Sequence, residues 1–413
     1  MFAFFAAVTA MSTGEQITVL PWNGHKAAVS LTFDDGDPSH WRTAIPELNR
    51  RRLKATFFLI AGKIPDEPKW VGAAREGHEI GNHSMTHEHP GGFDAKRVAD
   101  ETAGAQGLLK SKFGGSVVSF AYPFAEITPQ LKAAVADSHI GARGGWGPAF
   151  YLKPTDEPDW LDIPSQVTLK ATPAATYLGW VDTAAKEGAW TVFMIHGIEG
   201  TPWGWEPVPK AVFIELLDRL RDPELWVAPF GQVCAYWRAE KIFEQAKLAI
   251  EGTGAVYRWA VPAHFPKGVK LQVRVGGAAR RVSQAGKRLS RSLEGVCVID
   301  FDAGMLRVDE CGGLSVAVYA DLGPPADFAN TTPAQQVRRA RPLCAGFHHQ
   351  TWASSSIVKG RSSRCDPCST SQYSPPDGIP SKPSGFPSAT FTPSDFQPPS
   401  HTNSSYLPPV RSR

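Results

Sequence analysis

The chain has 413 residues, 42% of them hydrophobic, so it is long enough to bury a catalytic core and still carry a second module and a tail. Its 43 Lys and Arg residues against 40 Asp and Glu residues give a net charge of +3, which does not indicate a nucleic-acid partner. Beyond the first residues, no stretch approaches the ~18 apolar residues of a membrane span, so we expect no integral membrane segment.

Residues 1–16 form a possible leader segment. The apolar run from Phe2 to Ala10 ends in small residues, as in the core and cleavage site of a signal peptide. The basic stretch that usually precedes such a core is missing, because the first Lys is Lys26. Two interpretations stay open: export to the cell envelope or beyond, and a buried or frayed first segment of a cytoplasmic protein.

Residues 17–251 alternate between short apolar runs and longer amphipathic segments, which predicts an α/β fold with a parallel sheet or barrel. The predicted strands are Ala27 to Phe33, Ala55 to Ala61, His78 to Gly81, Val117 to Tyr122, Trp190 to Ile195 and Leu225 to Pro229. The predicted helices are Trp41 to Arg52, Asp94 to Phe113, Thr128 to Ser138, Pro207 to Arg221 and Gly231 to Ile250.

The last part of the chain has a different composition. Residues 252–322 contain β-branched, partly alternating runs, which predict a small antiparallel β module. The module has three possible roles: to bind sugar, to cover an edge of the barrel, or only to stabilise the chain. Residues 323–413 are rich in Ser, Pro and Thr without an apolar period, so we expect a disordered, low-complexity tail.

Two adjacent carboxylates stand where the first predicted strand ends, in Thr32-Phe33-Asp34-Asp35-Gly36. In a βα fold this end of the strand faces the active site. Neighbouring residues that leave a strand point in different directions, so one carboxylate can bind a metal while the other faces a reacting water. The alternative is an ordinary turn or helix cap.

Histidines supply the other candidate groups. His83 and His87, in His-Ser-Met-Thr-His, are spaced to share one face of a helical turn and to hold one ion together with an aspartate. Such a set leaves coordination positions open for water and a substrate oxygen. His196 directly follows the predicted strand Trp190 to Ile195 and is a candidate general acid. The alternative is a histidine at the edge of the core that is hydrogen-bonded to the backbone.

These motifs, with Tyr122-Pro-Phe124 and Asp156-x-x-Asp159-Trp160, occur in an order that resembles the polysaccharide deacetylases of the NodB-homology type, which are carbohydrate esterase family 4-like. The resemblance covers about Ile17 to Ile250. It implies a deformed (β/α) barrel of about seven strands, a divalent metal (most often zinc, with cobalt possible), and hydrolysis of the linear amide of N-acetyl groups on a chitin- or peptidoglycan-like glycan partner, with release of acetate.

The resemblance also implies roles for individual residues. One set carries out proton transfer: Asp34 as general base, His196 as general acid, and Asp159 as the carboxylate that orients His196 and raises its pKa. A second set, Asp35, His83 and His87, holds the metal. The substrate-binding set comprises Phe124 (through its backbone N–H at the oxyanion), Trp160 and Met194 (at the acetyl pocket), Tyr122 and Arg143.

One position departs from the family pattern. Many members have an arginine where this chain has Ala121, and that arginine pairs with the catalytic aspartate. Arg143, in Ala-Arg-Gly-Gly-Trp, is our candidate to supply the missing charge from another loop.

Two other functions remain as alternatives. One is a metal amidase that acts on a small non-peptide amide, because related barrels with similar motifs do so. Tryptophans in the Gly145-Trp146 and Trp203-Gly-Trp205 loops favour a glycan, since sugar faces stack on aromatic rings. The other is a catalytically inactive carbohydrate-binding protein, for which the loss of arginine at Ala121 is the sequence hint.

Overall fold

The computed structural model describes residues 17–145, 150–200, 204–252, 254–276 and 281–309. All of them lie in the first of the two units into which the chain divides, residues 1–320. The predicted leader at residues 1–16 and the predicted tail at residues 323–413 lie outside the described residues. Within the described part, no helix combines the length and the apolar character needed to cross a membrane.

The described segments contain sixteen strands and eight α-helices. The strands are β1 (Ile17–Val19), β2 (Ala27–Asp34), β3 (Thr56–Leu59), β4 (Glu79–Asn82), β5 (Ser119–Ala121), β6 (Gly141–Arg143), β7 (Gln166–Val167), β8 (Trp190–Ile195), β9 (Leu225–Val227), β10 (Lys247–Glu251), β11 (Gly254–Arg258), β12 (Lys270–Val275), β13 (Arg281–Gln284), β14 (Lys287–Arg288), β15 (Val296–Asp300) and β16 (Met305–Asp309). The helices are α1 (Ile45–Arg50), α2 (Glu67–Arg75), α3 (Ala95–Ala99), α4 (Ala105–Phe113), α5 (Pro129–Ala136), α6 (Ala174–Glu187), α7 (Lys210–Arg219) and α8 (Phe230–Glu244). Short π-helical turns, His40–Ala44 and Asp100–Gly104, lead into α1 and α4.

A curled parallel sheet forms the centre of the fold. Seven strands follow one another in the order β6, β5, β4, β3, β2, β8 and β7, and β9 pairs with the first residues of β2. The open edges approach each other through the segment before β7, where Ile163 forms a parallel bridge to Arg143 of β6. The prediction of a deformed (β/α) barrel of about seven strands is confirmed.

The central strand β2 explains why the candidate residues meet. All eight of its residues are buried, because a parallel strand with neighbours on both sides has no face open to water. Since neighbouring strands run in the same direction, their carboxyl ends lie at one rim of the barrel. Asp34, His83, Arg143 and His196 stand at or directly after those ends.

The predicted elements differ from the observed ones in two ways. Strands β6 and β7 and helices α2 and α6 are absent from the sequence prediction, and β6 and β7 are too short, at three and two residues, to show a period. The helix predicted from Gly231 to Ile250 ends at Glu244. The residues that follow form β10 instead, which pairs with β11 through a hairpin whose Gly252 has φ of 64°.

Two antiparallel sheets follow the barrel. One has the strand order β1, β12, β15, and the other has the order β10, β11, β16, β13, β14. Their apolar faces share one core with helix α8, which includes Trp237, Leu271 and Phe301. Because β1 comes from the first described residues, these sheets are tied to both ends of the barrel region. The domain boundaries at residues 251 and 322 stay a prediction.

Candidate active site

Asp34, the last residue of β2, is almost completely buried. Its Oδ2 accepts a hydrogen bond of 2.6 Å from Nη2 of Arg143. Burial alone would raise the pKa of this carboxyl, but the charges of Arg143, His83 and His196 outweigh burial and hold the pKa below its usual value. Asp34 is therefore ionised near neutral pH and is able to accept a proton.

Arg143 reaches Asp34 from the end of β6. Its Nη1 also donates to Oγ1 of Thr32 at 3.1 Å, and its guanidinium carbon lies 5.3 Å from the centre of the Phe58 ring. The guanidinium is thus held by two polar partners and one aromatic face. This is the contact that the sequence hypothesis about Ala121 requires, and its contribution to turnover stays a prediction.

A possible metal site lies beside Asp34. Oδ1 of Asp35 is 3.5 Å from Nε2 of His83 and 3.4 Å from Nε2 of His87, and the three atoms lie within 4.8 Å of one another. A tetrahedral ion with bonds of about 2.0–2.1 Å holds its ligand atoms roughly 3.3 Å apart, so these donors fit a single divalent ion. Oδ1 of Asp35 is buried without a hydrogen-bond partner among the described residues, a need that a cation would satisfy.

Backbone conformation separates the two carboxylates. Asp35 and Gly36 both lie in the left-handed region, with φ of 71° and 72°. This conformation is unfavourable for a residue other than glycine and is found where function demands it. The tight turn lets Asp35 face the histidines while Asp34 faces Arg143, as the adjacent-carboxylate argument requires.

His83 is oriented by a backbone contact. Its Nδ1 lies 2.8 Å from the carbonyl oxygen of Ala121. Because a carbonyl only accepts, the proton belongs on Nδ1, and the lone pair of Nε2 is free to face an ion.

The segment between His83 and His87 is a bend, so the predicted helical turn is wrong. Ser84 and His87 have φ of 65° and 58°, and Oγ of Ser84 accepts from the backbone N–H of His87 at 2.9 Å. The hydroxyl closes the bend locally and brings the two rings to a centroid distance of 4.8 Å. The two histidines are therefore brought together by this bend and not by a helical turn.

Glu101 braces this bend and was missed by sequence reasoning. Its buried Oε2 accepts from the backbone N–H groups of Met85 and Thr86, each at 2.9 Å, and its Oε1 accepts from Oγ1 of Thr86 at 2.7 Å. Arg97 lies 2.8 Å from the same carboxylate. Glu101 lies in the π-helical turn Asp100–Gly104, about two turns into the helix predicted from Asp94 to Phe113, and an acid within a helix is too common to stand out in the sequence.

His196 directly follows β8. Its Nε2 lies 3.8 Å from Oδ2 of Asp34, and its ring packs edge-on against Trp205 at 4.8 Å. Burial lowers the pKa of His196, which the charges of Asp34 and Asp35 oppose only in part. The expected rise of this pKa through Asp159 is not what the structure gives.

The contacts described for Asp159 are with groups other than His196, so its expected orienting role stays a prediction. Its carboxylate forms a salt bridge with Lys132 and accepts from the backbone N–H of Leu161 at 3.0 Å. Its side chain is 52% exposed. Nδ1 of His196 has no hydrogen-bond partner among the described residues. The segment Asp156 to Trp160 forms a surface turn, in which Asp156 and Asp159 accept hydrogen bonds from nearby backbone N–H groups.

Three residues assigned to substrate binding have buried or diverted side chains. The ring of Trp160 packs against Trp237 at 5.0 Å and under Arg238 at 5.6 Å, in the core shared with α8. The side chain of Tyr122 is 1% exposed, and that of Met194 is 7% exposed. Tyr122 and Met194 are nearly inaccessible and Trp160 is partly buried, and the assignment of all three to substrate binding stays a prediction.

Phe124 stands at the rim of the metal site. Its side chain is 50% exposed, stacks on His89 at 3.8 Å and meets His87 edge-on at 4.6 Å. Its φ of 55° belongs to the tight turn after β5. On the other side, Trp205 is 51% exposed and lines a cavity of about 410 Å³ together with Asp35 and His196.

A family model described as polysaccharide deacetylase matches residues 23–141. The matched range includes Asp34, Asp35, His83, His87 and Ala121. Residues 23–141 thus resemble the polysaccharide deacetylase family. The predicted resemblance to NodB-type proteins is thereby confirmed.

Several known proteins are similar to this chain. A gellan lyase of Bacillus sp is 28% identical over 237 residues, 51% of this chain and 9% of that protein. A peptidoglycan-N-acetylglucosamine deacetylase of Bacillus cereus is 35% identical over 97 residues, 23% of this chain and 36% of that protein. A family 4 acetyl xylan esterase from Clostridium thermocellum, solved with a cobalt ion, is 22% identical with a TM-score of 0.37, over 50% of this chain and 89% of that chain.

The matches to curated relatives are partial. The chain spans less than half the length of the curated relatives named here.

Proposed function

We propose that this chain is a divalent-metal-dependent hydrolase that removes N-acetyl groups from a chitin- or peptidoglycan-like glycan and releases acetate. One observation carries the proposal. A donor set for an ion, an arginine-paired carboxylate and a histidine 3.8 Å from that carboxylate meet at one rim of the barrel. Amide hydrolysis needs these three kinds of group together, because it needs an activated water, a stabilised oxyanion and a protonated leaving amine.

Asp35, His83 and His87 would hold the ion. We propose zinc, with cobalt as the other candidate, because one carboxylate and two imidazoles suit both. A bound divalent ion would polarise the amide carbonyl and make water more acidic.

Asp34 acts as the general base in this proposal. It takes one proton from the attacking water while the new carbon–oxygen bond forms. Its lowered pKa keeps it ionised before the reaction, and the salt bridge with Arg143 fixes the carboxylate position. The unpaired Oδ1 of Asp34 is free of hydrogen bonds within the described residues and is the oxygen that receives the proton.

His196, in its protonated form, completes the reaction as general acid. It donates a proton to the amide nitrogen as the carbon–nitrogen bond breaks, which leaves acetate and a free amine on the sugar. The backbone N–H of Phe124 is our candidate donor to the oxyanion, since the turn after β5 lies against His87.

Exposed aromatic rings support a sugar substrate. Phe124 stands beside the metal ligand His87 and Trp205 stands beside His196, and both are about half exposed. Aromatic faces bind the apolar faces of sugar rings, so exposed rings next to His87 and His196 suit a glycan better than a small compact amide. The relatives include proteins named as peptidoglycan and chitooligosaccharide deacetylases.

The test is acetate release from acetylated chitooligosaccharides and from peptidoglycan. We would compare metal-stripped protein, the same protein with zinc or cobalt restored, and the Asp34→Asn variant. Metal-restored release that disappears in Asp34→Asn supports the proposal and ranks the substrates. A folded, metal-loaded protein without activity on any glycan would contradict it. Hydrolysis of small amides would then favour the amidase, and glycan binding without turnover would favour the inactive binding protein.

A further inference from the structure

We propose that Ser39 and His40 position the general acid His196 by holding the backbone on the carboxyl side of its ring, on either side of Gly197. This inference rests on the proposed function, because it concerns the orientation of the proton donor. Both residues belong to the segment after Asp35 and Gly36 and contact the chain directly after β8. Neither takes part in holding the metal.

His40 holds the carbonyl group of His196. Its Nε2 lies 2.5 Å from that carbonyl oxygen, and its side chain is fully buried. The ring is surrounded by Phe33, Phe57 and Trp70, with ring centroids 5.2, 5.7 and 6.2 Å away. Because a carbonyl only accepts, Nε2 carries the proton, and burial lowers the pKa so that the ring stays neutral.

Ser39 holds the backbone two residues further on. Its Oγ accepts from the backbone N–H of Ile198 at 2.8 Å and donates to Oδ1 of Asp37 at 2.5 Å. The same Oδ1 accepts from the backbone N–H of Ser39 at 2.7 Å. The hydroxyl therefore has a defined direction, with its proton towards Asp37 and its lone pair towards Ile198.

These two contacts enclose the peptide units around Gly197. Strand β8 ends at Ile195, and the next backbone contacts of the chain are with Val208, whose N–H donates to the carbonyl oxygen of Gly197 at 2.9 Å. None of these bonds involves the backbone groups that His40 and Ser39 hold. Glycine at 197 adds backbone freedom at this point. Asp159 lies elsewhere and no described group binds Nδ1 of His196, so its ring orientation depends on the backbone and on packing against Trp205.

The experiment compares His40→Phe with His40→Gln. Phenylalanine fills the apolar site without a donor, whereas the glutamine amide nitrogen can replace Nε2. We expect His40→Phe to lower kcat by between tenfold and about a hundredfold with KM and zinc affinity unchanged, because small misplacement of a catalytic group has effects of this size. His40→Gln should restore most of the rate.

Two controls separate positioning from general destabilisation. His78→Phe removes a buried histidine whose ring bonds Asn49 and the N–H of Ala55, so it should lower the melting temperature without lowering kcat. Ser39→Ala should speed hydrogen exchange of the Ile198 amide in the metal-bound protein, and it should lower kcat in the same direction as His40→Phe.

The outcomes distinguish this inference from the proposed function. Acetate release by the wild-type enzyme tests the function, and the rates of the variants relative to wild type test the positioning. An active enzyme in which folded His40→Phe keeps its kcat overturns the inference and leaves the function standing. A His40→Gln variant as slow as His40→Phe, or a loss of rate that follows zinc affinity, also overturns it. A wild-type enzyme without glycan activity overturns both.

Discussion

Arg143 is the residue on which the catalytic carboxylate depends most directly. Asp34 and Arg143 are both nearly inaccessible to solvent, with side chains 2% and 1% exposed. Removing one partner of such a buried pair leaves an uncompensated charge, which costs about 3–5 kcal/mol. The pair therefore links the stability of this rim to its chemistry.

We expect Arg143→Ala to raise the pKa of Asp34 and to lower kcat by about a hundredfold, because the base loses both its charge partner and its position. Arg143→Lys should recover part of the rate, since it keeps the charge without the two-pronged geometry. The measurement is acetate release against pH, with circular dichroism to verify folding. Unchanged turnover in a folded Arg143→Ala protein would show that Arg143 does not contribute to catalysis.

Asp159 gives the opposite expectation. Its carboxylate is half exposed and pairs with Lys132, so Asp159→Ala should change kcat by less than about threefold and stability by less than about 1 kcal/mol. The matched variant is Lys132→Ala, which removes the other half of the same salt bridge. A large loss of kcat in Asp159→Ala alone would restore the role implied by the family motif.

His139 predicts an acid-sensitive core. Burial lowers its pKa to about 3, with a smaller contribution from the charge of Lys110, whereas an unfolded histidine titrates near 6.5. The folded state therefore binds fewer protons, and stability is lost as pH falls from about 6.5 towards 3. Between about pH 7.5 and pH 5, we expect the free energy of unfolding of metal-free His139→Gln to fall by about 2 kcal/mol less than that of metal-free wild type. Urea unfolding measures this difference, and equal losses would contradict it.

Residue types at strand ends were predictable from the sequence, but their contacts only in part. Asp34, Asp35, His83 and His87 follow short apolar runs, and the parallel topology brings such positions together. The contacts of Asp159 with Lys132 and of Trp160 with Trp237 were not predictable, because a short motif does not determine the path of the surface turn that contains it. Ser39 and His40 were not recognised because buried polar residues beside a motif look like ordinary turn and helix residues.

The bend from His83 to His87 is an element without regular secondary structure. Its shape depends on the hydroxyl of Ser84 within it and on the carboxylate of Glu101 from outside. Sequence spacing gave the correct pair of histidines and the wrong backbone, because residues four apart meet on a helix but also across a tight bend. The two left-handed residues have no signature in hydrophobic periodicity.

Glu101→Ala should weaken zinc binding by about tenfold or more, because outer contacts that orient metal ligands have effects of this size. Zinc affinity is measured by competition with a chelator. Glu88→Ala is the matched control, since Glu88 binds the same Arg97 at 3.0 Å from an exposed position and contacts no backbone of the bend in the described structure. Equal zinc affinity in Glu101→Ala and wild type would show that Glu101 does not orient the metal ligands through the bend.

On the scale of the whole molecule, the barrel and the antiparallel sheets share their apolar core. Oη of Tyr236 on α8 donates to the carbonyl of Leu20 at 2.6 Å and accepts from the N–H of Gln272 at 3.3 Å. One helix thus connects the start of the described chain with β12. Composition revealed the change from helical to strand-like sequence, but it did not reveal that β1 joins the later sheet, because a three-residue strand carries no signal of its partner.

A chain that ends at Ala246 should therefore fold poorly. Truncation would expose the face of α8 around Tyr236 and Phe243 that packs on the sheets, so we expect low solubility or a melting temperature lowered by at least about 10 °C. Differential scanning calorimetry of the truncated and full chains measures this. A truncated protein with an unchanged melting temperature and unchanged acetate release would instead support the predicted independent module.

The arginine on β6 also bears on how homologous sequences vary. Ala121 is fully buried, and its carbonyl oxygen receives the Nδ1 proton of His83. A second guanidinium at position 121 would compete with Arg143 for one carboxylate. Relatives of this chain should accordingly carry arginine at one of these two positions and a small or neutral residue at the other, so that the two sites exchange their charge in correlated pairs during evolution.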